Sequence, residues 1–139
     1  MRFRGTCYLA TSTLAGNPRI TPVSVIIDEE SIFVSLIPST PKCREILENP
    51  RYHLHALPGK SGEEFSVRGI AALVDDPERV RAITDAHAVS GVIHKSEDLI
   101  FELLLESAHY ADFRHEGGSL SAHRDRWQVE KRNTTEEES

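Results

Sequence analysis

A lysine in the first turn of a predicted helix is the residue whose position most directly suggests chemistry. The stretch IPSTPKCREILENP, residues 37–50, predicts a short helix with Ser39 and Thr40 as N-cap candidates and Pro41 at the first helical position. Free amide N–H groups and the helix dipole make this end positive, so Lys42 is misplaced there unless an anion lies opposite. Two hydroxyls, the amides and one ammonium could converge on a phosphate, so the stretch predicts an anion site.

The same helix start also has a purely structural interpretation. Lys42 could be a surface lysine paired with Glu45 or Glu48, and exposed pairs of this kind are common and weak. Ser39 and Thr40 could act only as caps, which every helix needs. The three-and-four spacing predicts that Cys43, Ile46 and Leu47 form the buried face and that Glu45 and Glu48 point elsewhere.

Short segments rich in apolar and β-branched residues surround this helix and must position it. They predict strands over Tyr8–Ser12, Arg19–Ile27, Ser31–Ile37, Arg51–Leu57, Glu64–Val74, Leu99 to about Phe113, and Arg124–Val129. The first three are predicted to form an antiparallel meander. A second helix is predicted from the cap Asp76 to roughly His87, with Val80, Ile83 and Thr84 on its inner side. Such strands with two helices at crossovers predict a mainly β fold, a small antiparallel barrel.

Length and composition limit the classes of function. The 139 residues predict one domain, over residues 1–130, followed by a disordered tail over residues 131–139. Acidic residues outnumber basic ones 22 to 16, which argues against a nucleic-acid partner. No apolar run approaches the roughly 18 residues needed to span a membrane, and no signal-peptide core follows the N-terminus. We therefore expect a cytoplasmic protein that does not bind membranes.

The cysteines and histidines give weaker signals. Cys7 and Cys43 are expected to be small apolar core residues and not a disulfide. His53 and His55 alternate on one face of a strand, but no cysteine or carboxylate lies beside them in the sequence. No dedicated metal site is predicted.

Several short motifs occur in an order that resembles one known family. They are Gly16, Pro18, Pro22 and Val23 before and within the second strand, Thr40-Pro41-Lys42 and Asn49-Pro50-Arg51 around the first helix, Val67-Arg68-Gly69 and Asp75-Asp76-Pro77 before the second, and Asp125-Arg126-Trp127 near the end. From Thr6 to Val129 the chain resembles the FMN-binding split barrels of the pyridoxamine 5′-phosphate oxidase family. The resemblance implies a six- to seven-stranded antiparallel split barrel with two short helices.

The resemblance also implies a cofactor site. The FMN phosphate would lie at the start of the first helix, held by Ser39, Thr40 and Lys42. Thr21, Pro22, Val23 and Ser24 would run along the ring and ribityl chain, Glu64 would stand near the flavin, Arg126 would add a second positive group, and Trp127 would pack beside the ring or fill the barrel. Members of the family usually form homodimers with cofactor sites between subunits, so the partner chain would supply half of each site.

The implied activity is flavin-dependent oxidation or reduction of a small molecule by hydride transfer. His123 precedes Arg124-Asp125-Arg126 at the implied cofactor mouth, where it would be a proton donor, a substrate contact or a structural hydrogen-bonding group. No covalent catalyst is needed, because the cofactor carries the redox chemistry.

Departures from the family pattern widen the range of functions. Thr21 and Pro41 stand where the oxidase has arginines, Glu64 where it has glutamine and Leu36 where it has threonine, and His123 and Arg124 are adjacent where it has Arg-x-His. These differences argue against pyridoxamine phosphate as the substrate. One alternative is a reductase that uses the deazaflavin coenzyme F-420, for which Arg19, Arg44 and Arg51 are the available basic groups. Another is a non-enzymatic flavin- or heme-binding protein, for which the histidines would matter.

Overall fold

The computed structural model describes residues 7–28, 30–56, 63–90, 97–116 and 118–129, and the statements below concern these ranges. They contain eight strands and two helices. In chain order these are β1 (Cys7–Ser12), β2 (Pro18–Val23), β3 (Val25–Asp28), β4 (Ser31–Leu36), α1 (Pro41–Glu48), β5 (Arg51–Ala56), β6 (Glu63–Leu73), α2 (Pro77–Ser90), β7 (Leu99–Glu116) and β8 (Ser119–Gln128). The predicted tail over residues 131–139 lies outside the described residues.

All strands belong to one antiparallel sheet that curls into a barrel. The order along the sheet is β2-β1-β5-β6-β7-β4-β3, and β8 pairs with β7 beside this path. The two ends of the path, β2 and β3, are separated in the chain by Ser24 alone, so the sheet must curl until its ends meet. The mainly β fold with two helices is confirmed.

The predicted meander has the predicted antiparallel pairings, but its middle strand is not continuous. The stretch predicted as one strand, Arg19–Ile27, is two strands interrupted at Ser24. β2 pairs with β1, whereas β3 pairs with β4 at the opposite end of the path. A continuous β-branched run can indicate extended backbone, but it cannot reveal that the backbone changes partner midway.

The final hairpin is longer than predicted. β7 extends to Glu116 and β8 begins at Ser119, where the sequence predicts strand only from Arg124. Gly118 adopts a φ of 83°, a conformation that glycine reaches without strain, and so reverses the chain within two residues. β8 therefore pairs with β7 over its whole length.

Two apolar clusters fill the interior. The larger lies inside the barrel and includes the fully buried Leu9, Val34, Cys43, Ile46 and Phe101. The smaller lies under α2, whose Ile83 packs near Ile26, Phe33 and Ile100. Asp76 caps α2 as predicted, since its carboxylate accepts a hydrogen bond of 3.2 Å from the Glu78 amide.

Both cysteines are buried and free, as the sequence predicts. Burial raises the pKa of the Cys7 thiol to about 11 and also raises the pKa of Cys43, to which the nearby Asp98 contributes. No helix within the described ranges is long and apolar enough to cross a membrane.

Candidate functional site

The start of α1 is an open, uncapped helix end. Thr40 occupies the N-cap with extended backbone and Pro41 follows it, both as predicted. The Thr40 hydroxyl donates to the Ile37 carbonyl at 2.7 Å and makes no capping bond to the amides of the helix. Ser39 and Pro41 are exposed and Lys42 is half-buried, so the helix start reaches the surface without a side-chain cap, although Cys43 in the same turn is buried.

Packing and one buried ion pair fix α1 against β1 and β2. Cys43 and Ile46 are at most 1% exposed, whereas Leu47 is half exposed, so its predicted place on the buried face is wrong. The prediction that Glu45 points elsewhere is also wrong: its carboxylate is buried and accepts hydrogen bonds of 3.0 and 2.8 Å from Arg19 Nε. The helix is rotated so that this carboxylate meets the guanidinium on β2, which offsets the loss of hydration.

Lys42 brings the helix start next to the end of β2. Its Nζ lies 3.4 Å from the Pro22 carbonyl oxygen, and these residues are 20 positions apart in the chain. The surface pairing with Glu45 is not observed, because Glu45 is engaged by Arg19. Within the described ranges Lys42 forms no ion pair with Glu48 either, so its ammonium has no carboxylate partner there.

Four residues predicted to contact the cofactor, Thr21 to Ser24, lie in β2 or directly after it, and their side chains alternate between two faces. Val23 is buried and Thr21 faces the same side, while Pro22 and Ser24 are exposed. The Thr21 hydroxyl is fully buried and has no hydrogen-bond partner among the described residues. An unpaired buried hydroxyl costs free energy, so this atom suits a polar ligand group. Together with Ser39, Thr40 and Lys42, these residues form the α1–β2 cluster.

The remaining predicted residues lie around a different feature, an open groove of about 520 Å³ on the outer face of β5 to β8. We call it the outer groove. Glu64, Arg126 and Trp127 all line it. Glu64 lies between two imidazoles, 3.7 Å from His55 Nε2 and 4.0 Å from His109 Nδ1, and Arg126 lies opposite His109 in the β7–β8 register.

Trp127 does not fill the barrel. It is 52% exposed and pairs with Ala108, whereas its neighbour Arg126 pairs with His109. Successive side chains of a strand point to opposite faces, so Trp127 and Arg126 project to opposite sides of β8. The exposed side chain does not fit the predicted role of filling the barrel. The other predicted role, packing beside a flavin ring, stays a prediction.

The two groups of predicted residues lie far apart in one chain. β2 and β8 are separated by β1, β5, β6 and β7, which gives five inter-strand spacings and roughly 24 Å along the sheet. The structure brings Lys42 to Pro22, but it does not bring Glu64, Arg126 or Trp127 to them.

Histidine and polar residues that the sequence analysis did not assign also line the outer groove. They are His53, Ser66, Arg68, Ser107, His109 and Gln128. Alternation along a strand shows that His53 and His55 share a face, but the register that adds β6, β7 and β8 depends on tertiary pairing. Burial, followed by the nearby His55 and Arg68, lowers the pKa of His53.

His123 cannot be placed in either group. Its backbone lies in β8 opposite Asp112, and its side chain is outside the described part of the structure. Among the described residues, no group of three histidine, cysteine or carboxylate side chains could hold a metal ion.

The comparisons with known proteins agree with this architecture. Residues 3–112 match the family model described as pyridoxamine 5′-phosphate oxidase. Among curated proteins none matches the sequence.

Three solved structures illustrate the shared fold. A heme-binding protein from Mycobacterium smegmatis has 18% identity and a TM-score of 0.63, covering 86% of this chain and 52% of its own, so this chain spans about half its length. PhzG from Burkholderia lata, in complex with tetrahydrophenazine-1-carboxylic acid, has 14% identity and a TM-score of 0.61, with 91% and 83% covered. A pyridoxamine 5′-phosphate oxidase-related, FMN-binding protein from Nostoc punctiforme has 12% identity and a TM-score of 0.61, with 86% of each chain covered.

Identities this low show a common fold and not a common ligand. The family match covers most of the chain, and the curled antiparallel barrel with two helices is consistent with the split barrel of that family. The chain therefore belongs to the pyridoxamine 5′-phosphate oxidase family.

Proposed function

We propose that the protein is an FMN-binding oxidoreductase that seats the flavin phosphate at the α1–β2 cluster. The observation that carries this proposal is the position of Lys42, whose ammonium reaches the end of β2 beside an uncapped helix start. The amides, the helix dipole and the ammonium all favour a dianionic phosphate at this position.

The neighbouring side chains suit the same group. Ser39 is exposed and can donate its hydroxyl, and the buried Thr21 hydroxyl lacks a partner within the described ranges. Arg19 is paired with Glu45 through its Nε, so the carboxylate balances its positive charge and the pair stabilises the packing of α1. Lys42 would therefore supply the main positive charge at the phosphate.

We further propose that a homodimer completes the site. The outer groove carries Glu64 on β6 and Arg126 on β8, with the exposed Trp127 next to Arg126 on the other face of β8. Along the sheet, β6 and β8 lie roughly 14 and 24 Å from β2 of the same chain. A two-fold axis that places the outer groove of one protomer against the α1–β2 cluster of its partner would unite the two groups, twice per dimer. Each subunit would then supply the phosphate anchor of one site and the outer-groove residues of the other.

When bound, FMN supplies hydride transfer to or from a small-molecule substrate. The residues of this chain would bind and orient the cofactor and exclude water from the substrate. Arg126 would add positive charge near the flavin, and His123 is the residue proposed to donate a proton. Glu64 would contribute negative charge, partly balanced by His55 and His109 when these are protonated.

The deazaflavin alternative is less well supported by the arrangement of charges. Two of the three arginines that could hold its longer acidic tail already face carboxylates: Arg19 binds Glu45 at 2.8 Å, and Arg51 lies 3.9 Å from Glu106. Arg44, which is exposed on α1, is the third. FMN, with a single phosphate, needs no such additional cations.

A non-enzymatic heme-binding role is the second candidate. His53 and His109 line the outer groove, with His55 alongside, and imidazole nitrogens are the commonest protein ligands of heme iron. The fold is shared with the Mycobacterium smegmatis protein, which is described as heme-binding. This role would use the outer groove and would not require Lys42.

Titration of the cofactor-free protein distinguishes these functions. FMN, riboflavin, a deazaflavin and hemin would each be added to stripped protein, with absorbance and melting temperature as readouts, because a ligand that prefers the native state raises its stability. We expect FMN to bind at least tenfold more tightly than riboflavin, which lacks the phosphate. Equal affinity for FMN and riboflavin would contradict a phosphate anchor, and a preference for hemin would favour the second candidate.

A further inference from the structure

Arg68 lies where two grooves of the outer face meet. The outer groove adjoins a second groove of about 290 Å³, lined by Arg51, Glu106 and Val129 among others, and both are lined by Arg68, Ser107 and Gln128. Arg68 Nε donates a hydrogen bond of 2.9 Å to the Ser107 hydroxyl. This bond fixes the direction of the guanidinium at the junction and leaves its terminal nitrogens for another acceptor.

Two other arginines, on β2 and α2, are paired with carboxylates. Arg19 pairs with Glu45 at 2.8 Å, and Arg79 pairs with Glu102 at 2.7 Å. Within the described ranges no carboxylate lies within 4 Å of Arg68. Arg68 is therefore an oriented cation in a concave site without a protein counter-charge in the described part of the chain.

The two carboxylates of the grooves have basic neighbours of their own. Glu64 lies beside His55 and His109, and Glu106 lies 3.9 Å from Arg51. Neither carboxylate lies within 4 Å of an Arg68 nitrogen.

The strand register adds further donors to the same face. Arg68 lies opposite Ser107, and Ser107 lies opposite Gln128 on β8. Arg126 lies two residue pairs further along β8, opposite His109, so Arg68 and Arg126 flank the central strand of the groove. His53 lies opposite Arg68 on β5 and has a lowered pKa, so it is largely neutral near pH 7 and can hydrogen-bond without repelling or neutralising.

We infer that the outer face holds a second anion-binding site, in which Arg68, oriented by Ser107 and assisted by Gln128 and Arg126, binds a small carboxylate- or phosphate-bearing molecule. A guanidinium presents a planar pair of N–H donors that matches both groups bidentately. The hydroxyl of Ser107 and the amide of Gln128 add neutral donors on the adjoining strands. The site shares the outer groove and Arg126 with the residues proposed to complete the flavin site of the partner subunit, but it is centred on Arg68 and includes no residue of the α1–β2 cluster.

Amide NMR on the full chain, free of flavin, tests the inference. Inorganic phosphate and malonate would be titrated separately at constant ionic strength, so that either anion source is sampled. We expect saturable shifts at Arg68, Ser107 and Gln128. Arg68→Gln should weaken this binding at least tenfold, because it removes a charge-assisted bidentate contact.

Three further variants test whether the anion binds specifically at Arg68. Arg81→Gln removes one charge from the exposed surface of α2 and should leave the affinity unchanged. Lys42→Gln removes the cation of the α1–β2 cluster and separates the two anion sites: shifts at residues 39–44 should disappear in this variant, whereas those at Ser107 and Gln128 should persist. Arg68→Lys retains the charge without the bidentate fork and should bind with intermediate affinity, which provides a second variant if Arg68→Gln fails to fold.

Two results would overturn the inference. One is an unchanged affinity at Ser107 and Gln128 in both Arg68 variants. The other is a set of shifts confined to residues 39–44 that disappears in Lys42→Gln, since the anion would then bind only at the helix start.

Discussion

The α1–β2 cluster and the outer groove are built in different ways. The cluster depends on a helix packed across two strands, with Cys43 and Ile46 buried and Arg19 bonded to Glu45. The groove depends on the register of four neighbouring strands, which aligns Arg68 with Ser107 and Ser107 with Gln128. A change that loosens side-chain packing should therefore damage the first, and a change that shifts the register should damage the second.

A β-bulge controls the register of the groove. Arg68 lies opposite Ser107, but Gly69 lies opposite Leu105, so β7 contains one extra residue at Glu106. At this point the backbones approach so closely that a Cβ on Gly69 would overlap with the Leu104 carbonyl oxygen. The same oxygen accepts a hydrogen bond of 2.9 Å from the Tyr52 hydroxyl.

Gly69→Ala should have the largest effect of the changes considered. The added methyl group meets backbone, which cannot move aside as a flexible side chain could, so we expect a loss of about 3 kcal/mol in the free energy of unfolding. Urea denaturation would measure this loss. Gly16→Ala is a matched control, because Gly16 has a positive φ of 88° but open space around it, and should cost only about 1 kcal/mol. Similar losses in the two variants would contradict the close approach.

The second largest loss of stability is expected from disrupting the ion pair between Arg19 and Glu45 under α1. Glu45→Gln leaves Arg19 without its carboxylate, and we expect a loss of about 1–2 kcal/mol, less than for a fully buried pair because the Arg19 side chain is 44% exposed. FMN affinity should fall as well, since this pair holds α1 against β2. A loss of stability with unchanged FMN affinity would show that the pair does not position the helix start.

The outer ion pair between Arg51 and Glu106 should contribute less. Its atoms are 3.9 Å apart and its side chains are 73% and 52% exposed. A double-mutant cycle with Arg51→Gln and Glu106→Gln should give a coupling free energy below about 0.5 kcal/mol. A coupling free energy as large as the loss expected for Glu45→Gln would show that the exposed pair stabilises the protein as much as the buried pair does.

The smallest expected effect is a pH dependence from His53. Its pKa in the folded protein is lowered from 6.5, so the unfolded chain binds more protons below that pH. The free energy of unfolding should therefore fall as the pH decreases from about 6.5 towards the lower native pKa, and His53→Gln should reduce that fall. Denaturation at pH 8, where both states are neutral at this position, provides the reference. Parallel pH profiles for the two proteins would contradict the shift.

Local signals account for most of the fold that the sequence predicts. Pro41 and Asp76 marked the helix starts, and β-branched runs marked the strands. The sequence did not reveal the break at Ser24, because a change of pairing partner has no local signature. The burial of Glu45 was also missed, since periodicity assigns a carboxylate to solvent and its partner Arg19 lies 26 residues away.

The two parts of the candidate site differ in the same way, since only one of them has a local signal in the sequence. The helix start was predictable because Lys42 conflicts with the dipole of its own helix. The outer groove was not, since Arg68, Ser107 and Gln128 come from three strands whose alignment includes the bulge at Glu106. No pattern within a single segment contains that alignment.

The most direct test of the central claim compares FMN with riboflavin in the wild type and in Lys42→Gln. If the Lys42 ammonium binds the phosphate, the substitution should weaken FMN binding at least tenfold and leave riboflavin binding unchanged, because riboflavin lacks the phosphate. Equal losses for the two flavins, or no loss for FMN, would contradict a phosphate seated at the start of α1.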